Sequence, residues 1–352
     1  MTAPLITAPD ALQLAFDAYA SPRITAGTAP LQQQISVLAG QLAASQALLG
    51  QDDAALAAAK QTLAGLQTQL ANETAAERAD VATISAQQQQ IAALQAQLST
   101  AVPGKAPAPP AGYAVALQDD FNGTVSPVWT ATTDAASNEL SARLPGNVIT
   151  GPDHLSIQAK RQASGTRLFT SGYITTAGKQ SVPFGRWLIR ARWTDLYGLW
   201  PALWLRFDGA PGEIDIMEAV GSWPHLAFTV HQNTSGQQDK SGTDWPWAAG
   251  WSPADWHVYG FERKTDGTGI WTVDGVATKT AHPTDLDNQH QPMNWLTGPN
   301  FTGPAHLICN LQVGGSMPSS VLPSFDQSKI LPAGAVGSLE LDWVQVLTPI
   351  AT

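Results

Sequence analysis

The first third of the chain carries a continuous stripe of apolar residues. From Leu31 to Leu98, the positions reached by alternating steps of four and three hold fourteen apolar residues out of twenty, and the frame never shifts. A seven-residue repeat kept over residues 29–100 predicts a left-handed coiled coil, about 100 Å long at ~1.5 Å per residue. A lone helix would leave this stripe in water, so we expect a homo-oligomer, with a trimer favoured over a dimer. A single solvated helix is the alternative.

Two short segments border this repeat. Residues 1–28 are too few for a domain, and we expect them to be an attachment peptide or a disordered segment. Residues 101–112 are rich in proline and alanine. Because proline fixes φ and removes an N–H donor, the helix must end there. We predict a short, semi-rigid linker.

From residue 113 to residue 352 the pattern changes to short runs in which apolar and polar residues alternate. All 13 tryptophans lie in this part, and it can therefore build the large core that the helical part lacks. Many short alternating runs with turn residues between them predict an all-β domain, a β-sandwich or jelly roll. The clearest runs are Leu155–Ala159, Trp187–Trp193, Ala227–His231, Trp271–Gly275 and Leu339–Val346.

Composition narrows the classes of partner. The chain has 18 Lys and Arg against 28 Asp and Glu, a net charge of −10, so we expect no nucleic-acid partner. The one cysteine, Cys309, excludes an internal disulfide framework. No run reaches the ~18 apolar residues of a membrane span, so no membrane partner is expected. The N-terminus lacks the basic and apolar regions of a Sec signal peptide.

Three carboxylates lie within the run Gly212–Glu218. Glu213 and Asp215 share one face of a strand, because side chains alternate with period two, and the isoleucines between and after them would point into a core. Glu218 is out of parity by one residue. One β-bulge near Met217 would return it to the face of the other two acids.

Three acids on one concave face suit glycoside hydrolysis. A retaining enzyme uses one carboxyl as nucleophile and a second as acid and base. Neighbouring carboxylates cannot all ionise easily, so one keeps its proton toward neutral pH and the group titrates as a coupled set. Calcium ligation and an ordinary solvated acidic strand are the alternatives.

These acids and the motifs around them resemble glycoside hydrolase family 16, the laminarinase and β-glucanase family. The resemblance extends from about Tyr113 to Thr348, and Tyr173 stands where the family usually carries arginine or a small residue. The motifs that carry it are Phe121-Asn122-Gly123, Pro145-Gly146-Asn147-Val148, Thr170-Ser171-Gly172, Phe184-Gly185-Arg186-Trp187, Trp200-Pro201-Ala202-Leu203-Trp204, Gly212–Glu218, Trp256-His257-Val258-Tyr259, Val273-Asp274-Gly275, Asn310-Leu311-Gln312-Val313-Gly314-Gly315 and Asp342-Trp343-Val344.

The resemblance implies a concanavalin-like jelly roll with an open cleft, a retaining mechanism and no cofactor for catalysis. Carried over position by position, it implies that Glu213 is the nucleophile, Asp215 its assisting acid and Glu218 the general acid/base. The inserted residue Met217 is the form of the laminarinase-like members. Asp342 matches a position where several members hold a structural calcium ion.

Further residues are candidates for contact with substrate. His231 would face the acids from a neighbouring strand, and the resemblance makes it a cleft histidine near Glu218. Gln312 would contact substrate or pair in a turn. An indole ring stacks well on a sugar, although buried tryptophan is usually core. The candidate tryptophans are Trp200, Trp204, Trp223 and Trp247.

We therefore expect an endo-acting β-glycan hydrolase with a polysaccharide substrate such as β-1,3-glucan. A glycanase without an export signal would leave the cell by lysis, and a rod, a linker and a terminal enzyme are typical of a phage tail appendage. We expect it in the virion or outside lysed cells, bound through its N-terminus to other virion proteins. A non-hydrolytic glycan-binding tail tip, a structural spacer and a transglycosylase are the alternatives.

Overall fold

The computed structural model describes residues 29–46, 53–101, 106–134, 138–232, 240–288, 290–294 and 298–350. The predicted attachment segment 1–28 lies outside the described residues. The chain divides into a helical unit within residues 5–94 and a second unit that contains residues 95–352. The helical unit comes from the seven-residue repeat, and the second unit holds the alternating runs.

The helical unit contains helix α1 (residues 29–46) and most of helix α2 (Asp53–Ala101). Leu38 of α1 and Leu66 of α2 line one groove. In a single straight helix these two residues would lie about 42 Å apart at ~1.5 Å per residue. The prediction of one uninterrupted rod over residues 29–100 is therefore wrong for this chain: the repeat is divided between two helices that lie side by side.

The apolar stripe explains this arrangement. Where the burial of the side chains is described, the apolar residues of the repeat are half-buried and most of their neighbours are exposed, as at Leu31, Ile35, Leu63 and Leu70. Each helix therefore covers part of the other's stripe within a single chain, and the homo-oligomer stays a prediction. No described helix has the length and hydropathy needed to cross a membrane.

The second unit is the predicted all-β sandwich. Among the described residues from 106 onward, one short helix, α3 (Ser316–Val321), and 3₁₀ turns at Pro145–Asn147, Pro299–Phe301 and Gln327–Lys329 accompany the strands. The strands are β1 (Tyr113–Asp119), β2 (Thr130–Ala131), β3 (Ser141–Arg143), β4 (Val148–Thr150), β5 (Leu155–Lys160), β6 (Phe169–Ser171), β7 (Tyr173–Thr175), β8 (Gly185–Trp193), β9 (Leu199–Phe207), β10 (Glu213–Val220), β11 (Trp223–His231), β12 (Lys240–Pro246), β13 (His257–Arg263), β14 (Gly269–Val273), β15 (Val276–Ala281), β16 (Ala305–Val313) and β17 (Val336–Pro349).

The described strands form two sheets. The outer sheet has the order β15-β14-β13-β8-β17-β5-β6-β3, with β1 on β17 and β4 on β5. The inner sheet has the order β12-β11-β10-β9-β16-β7-β2. Apart from the parallel pair β3 and β6, the pairings are antiparallel, which is the arrangement of a jelly roll. The strand β10, which carries the three acids, lies between β9 and β11.

The core lies between the sheets and is built from the apolar half of each alternating run. The inner sheet contributes Ile214, Ile216 and Cys309, and the outer sheet contributes Trp187 and Trp271, all buried. Burial raises the pKa of the Cys309 thiol far above its ordinary value. Five predicted strands are present, although the run Trp271–Gly275 ends at Val273. Asp274 and Gly275 have φ of 51° and 78° and form the tight turn of the β14–β15 hairpin.

A glycine fixes the start of the acid-bearing strand. A Cβ at Gly212 would lie 2.2 Å from the backbone oxygen of Asn300, whereas the Gly212 N–H donates to that oxygen at 2.7 Å. Only a residue without a side chain lets the 3₁₀ turn at Pro299–Phe301 approach this closely. The contact ties the residue immediately before β10 to the 3₁₀ turn at Pro299–Phe301.

The end of the predicted linker belongs to the sandwich. Ala106 is buried, and its N–H donates to Asp120 at 3.0 Å. Gln345 of β17 donates to the Pro107 carbonyl at 2.7 Å. Residues 106–112 are therefore docked on the β unit, and the proposed spacer is shorter than predicted.

Candidate active site

Strand alternation places the predicted acids on the face of the inner sheet that points away from the core. Ile214 and Ile216 are fully buried in the core, so Glu213 and Asp215 point the opposite way. The partners opposite them come from the flanking strands, with His231 opposite Glu213 on β11 and Trp204 opposite Asp215 on β9. This face, which we call the acid face, therefore carries residues from at least three strands.

A bulge in β10 brings the third acid to the same face. Asp215 pairs with Thr229 and the next pair on β11 is Glu218 with Ala227, so three residues of β10 advance against two of β11. The pairing with β9 also shifts between Asp215 and Met217. Met217 is fully buried and Glu218 is half-buried, as the predicted bulge requires. The parity argument from the sequence is thereby confirmed.

Glu213 lies in a crowded electrostatic environment. Its carboxylate is 3.3 Å from Arg206 Nη1, and its Oε1 is 3.9 Å from His231 Nε2. The same imidazole nitrogen is 3.2 Å from Asp215 Oδ2, and the Asp215 side chain is only 4% exposed. Burial first, and the charge of Asp215 second, raise the pKa of Glu213 to about 7, against the opposing influence of His231 and Arg206. The group therefore shares protons near neutral pH, as the sequence predicted for adjacent carboxylates.

Glu218 is held by a tryptophan on the acid face. The indole N–H of Trp200 donates to Glu218 Oε1 at 2.9 Å, and Trp200 itself is almost fully buried. Trp200 is therefore placed to orient the acid, and its buried ring has little area left for stacking on a sugar. Trp200 contacts the Glu218 carboxyl group rather than forming an open platform.

The predicted residues Trp204 and Gln312 also lie on the acid face. Trp204 is half-buried, and its indole N–H donates to Asn310 Oδ1 at 2.6 Å. Gln312 is opposite Trp200 on β16. Asn310 Nδ2 and Gln312 Oε1 are buried and have no hydrogen-bond partner within the described part of the chain. Both atoms suit the hydroxyl groups of a bound sugar, because a buried polar atom is costly to leave unpaired.

His231 lies on the acid face, as predicted, with Thr229 two residues away on the same strand. The structure places it against Glu213 and Asp215, whereas the resemblance suggested a position near Glu218. Its imidazole therefore lies within interaction distance of the carboxylates of the first two acids.

Two predicted tryptophans differ in their surroundings. Trp223 is half-buried and stacks on His225 at a ring separation of 4.9 Å, on the strand that carries His231. Trp247 packs against the core, with its ring 5.0 Å from that of Trp251, which stacks on His257. Trp247 therefore packs against its aromatic neighbours while staying partly exposed, and its contact with substrate stays a prediction.

The predicted calcium ligand has a different partner. Asp342 is buried and forms an ion pair with Arg190, whose guanidinium lies 5.2 Å from the ring centre of Trp256. A carboxylate already neutralised by a guanidinium is a poor ligand for a cation, so these residues do not fit the implied calcium site. Among the described residues, the ligand atoms of Glu213, Asp215 and His231 lie within 4.8 Å of one another and could hold a metal, but we assign them to the acid chemistry.

Sequence reasoning missed Arg206, Tyr173 and Asn310 as site residues. Arg206 is two residues from Trp204 and thus on the same face of β9, a signal that parity alone could have given. The ring of Tyr173 meets the edge of Trp204 at 6.3 Å, and the Arg143 guanidinium lies 4.6 Å from its centre. Burial raises the pKa of Tyr173 to about 12, so it acts as a neutral phenol.

An all-β sandwich with three clustered carboxylates, a tryptophan-held acid and unpaired amide groups on one sheet face is the architecture of a glycosidase. The family model described as glycosyl hydrolases family 16 matches residues 122–303. The chain belongs to glycosyl hydrolases family 16. Glucanases of this family need no cofactor for catalysis.

Known proteins similar to this chain agree with that assignment. A β-glucanase of Rhodothermus marinus is 30% identical over 214 residues, covering 57% of this chain and 70% of that protein. A glucan endo-1,3-β-glucosidase A1 of Niallia circulans is 30% identical over 272 residues, 67% of this chain but only 38% of that protein. The solved laminarinase structure from Rhodothermus marinus matches with a TM-score of 0.57 at 27% identity, covering 68% of this chain and 98% of that one. The matched chain in each case is a glucan-cleaving enzyme by name.

Proposed function

We propose that this protein is a retaining, endo-acting hydrolase of a β-linked glucan with β-1,3 or mixed β-1,3 and β-1,4 linkages. The observation that carries the proposal is the bulge between Asp215 and Glu218, which puts three acids on one open sheet face. The glucanase relatives support glucan as the substrate class. The tryptophans and unpaired amides beside the acids supply the stacking and hydrogen bonds that a pyranose needs.

In this mechanism each acid has one task. Glu218 donates its proton to the glycosidic oxygen as the carboxylate of Glu213 attacks the anomeric carbon, which breaks the C–O bond and forms a glycosyl–enzyme ester. Glu218, now a carboxylate, takes a proton from water, and the water oxygen displaces Glu213 with overall retention. Two inversions at the anomeric carbon thus balance.

Arg206 and His231 help to keep the nucleophile ionised near neutral pH. Burial and the charge of Asp215 raise the pKa of Glu213, and neighbouring groups that oppose this rise limit it to about 7, so part of the nucleophile is ionised near neutral pH. Arg206 and His231 oppose the rise at 3.3 and 3.9 Å from its carboxylate oxygens. We expect activity to increase with pH through the apparent pKa of this coupled set and to decrease when Glu218 loses its proton.

The test is digestion of a panel of soluble polysaccharides by the whole protein. Release of reducing ends from a β-1,3-glucan or a mixed-linkage glucan, absent in Glu213→Gln, is the expected result. Proton NMR of the first product should show the β anomer before mutarotation. Binding without cleavage by the unmutated protein would favour a glycan-binding module, and longer products instead of free reducing ends would identify a transglycosylase.

We further propose that the enzyme is displayed by an oligomeric helical stalk, as part of a phage tail. The support is the partly exposed apolar stripe of α1 and α2, which a second copy of this chain would cover further. Sedimentation of the whole protein should give a mass of two or three chains, and antibody against the sandwich should label phage particles in electron micrographs. A monomeric mass or unlabelled particles would contradict this proposal.

A further inference from the structure

The bulge in β10 interrupts the regular hydrogen-bond ladder between β10 and β11, so other contacts must hold the bulged strand in place. At the bulge, two side chains of the outer sheet form hydrogen bonds across the core to the backbone of the inner sheet. The indole N–H of Trp271 on β14 donates to the main-chain carbonyl of Asp215 at 2.8 Å. The ammonium group of Lys279 on β15 donates to the main-chain carbonyl of Phe228 at 2.9 Å.

These two donors form a single unit. Trp271 and Lys279 are direct cross-strand partners in the β14–β15 hairpin, and Lys279 Nζ lies 4.9 Å from the centre of the Trp271 ring. Both side chains are buried, with Trp271 fully enclosed and Lys279 8% exposed. The carbonyls that they bind flank the register shift, since Asp215 pairs with Thr229, the residue next to Phe228.

A buried lysine needs a reason, because an aliphatic side chain would fill the same space without the cost of a buried charge. Burial lowers the pKa of Lys279 to about 8, while the carboxylates of Asp215 and Asp285 act in the opposite direction. The carboxylate of Asp215 in turn faces His231 and lies beside Glu213. The ammonium thus lies on the core side of the strand whose other side carries the catalytic acids.

We infer that Trp271 and Lys279 are positioning residues that lock the β10 bulge from the core side, so that Asp215 and Glu218 face the same substrate. The inference rests on the proposed hydrolase function. Trp271 fixes the last residue before the bulge, and Lys279 fixes the strand against which the bulge is formed. The hydrogen bonds from both side chains go to main-chain carbonyls, so each residue positions the acids through the backbone.

Two kinds of effect follow. Loss of either donor should let Glu218 depart from its productive position, and a displacement near 1 Å is enough to lower kcat by about 10²-fold. Loss of the ammonium should also raise the apparent pKa of the coupled acids, because a cation favours the ionised form of nearby carboxylates. The acid limb of the kcat profile should therefore move to higher pH in Lys279→Met.

The experiment compares Trp271→Phe, Lys279→Met and Lys279→Arg with the unmutated protein, each as the full chain. Trp187→Phe is the matched control, because Trp187 belongs to the same aromatic stack through Phe261. We expect kcat on a β-1,3-glucan to fall about 10- to 100-fold in the first two variants with KM changed less than about threefold. Lys279→Arg should recover most of kcat, and Trp187→Phe should keep it.

An NMR readout makes the result independent of turnover. The indole N–H of Trp200 reports its hydrogen bond to Glu218, so its resonance should move in Trp271→Phe and Lys279→Met and stay in Trp187→Phe. An unmutated protein that cleaves no glucan would refute the proposed function and leave this shift as the test of the lock. Unchanged kcat, pH profile and Trp200 resonance in both variants, or losses equal to those of Trp187→Phe, would overturn the inference.

Discussion

The acid-bearing strand β10 and the helical unit both carry a periodic stripe of apolar residues, but the two stripes are buried to different extents. On β10 the isoleucines are completely buried, and hydrogen-bonded neighbours on both sides fix which residues meet the acids. On α1 and on the part of α2 whose side chains are described, the leucines are only half-buried. A periodic apolar pattern therefore determines which face of an element is buried. Which residues bury that face is determined only where hydrogen-bonded neighbouring strands set the pairing. The predictions below test this contrast, beginning with the largest expected effect.

The strongest test of the acid face is the removal of its proton donor. Glu218→Gln should lower kcat on a β-glucan by about 10²–10⁴-fold, because an amide cannot protonate the leaving oxygen. An aryl glycoside with a good leaving group needs no such proton, so its first step should be nearly unaffected. Parallel assays on both substrates check this, and equal losses would show that Glu218 is not the acid.

Gly212, the residue just before β10, should also be sensitive, although it has no side chain and takes no part in the chemistry. Gly212→Ala puts a methyl group against the Asn300 carbonyl, and we expect it to lower the free energy of unfolding by about 2–4 kcal/mol. Gly146→Ala is the matched control, because a Cβ at Gly146 has no atom within 4 Å. Urea denaturation of the two variants measures the difference, and equal stabilities would contradict the close approach.

The raised pKa of Glu213 should make its contribution to the free energy of unfolding depend on pH. The pKa of Glu213 is raised to about 7 in the folded state, so its contribution is fully present below pH 4.5 and is lost as the pH rises through about 7. Glu213→Gln should therefore gain about 3 kcal/mol of unfolding free energy at pH 8 and nothing at pH 4. Urea denaturation at both values tests the sign; the same difference at both would exclude this explanation.

The helical unit should respond weakly and without effect on catalysis. If α1 and α2 pack as the shared groove indicates, Leu38→Ala and Leu66→Ala should show a coupling of about 0.5 kcal/mol in a double-mutant cycle. Thermal denaturation followed by circular dichroism measures it, with kcat of the sandwich unchanged. Zero coupling would mean that the two residues are not neighbours and would restore the continuous rod.

The local part of the site was predictable from sequence because strand parity is a short-range rule. The alternation of side chains placed Glu213, Asp215 and His231 on one face. Glu218 is out of step with that alternation by one residue, which required the bulge near Met217. The resemblance then supplied roles for these residues.

The remainder depended on contacts between residues far apart in the chain. Trp271 and Lys279 meet β10 and β11 only because the two sheets pack face to face, and no spacing in the sequence announces that. Trp247 follows Pro246 in a region rich in glycine and proline, where core packing cannot be told from an open loop. The division of the helical repeat was hidden for the same reason, since a leucine stripe is compatible with its own chain or with another copy.

The burial of the chain's lone thiol has a practical consequence. Cys309 is enclosed between the sheets, with no exposed surface and a pKa raised far above its ordinary value, so maleimides and similar reagents should not reach it in the native protein. A cysteine introduced on the exposed side of either helix would then be the sole reactive group. The native fold thus permits single-point attachment of a dye or a solid support to the helices, with no need to remove a background thiol.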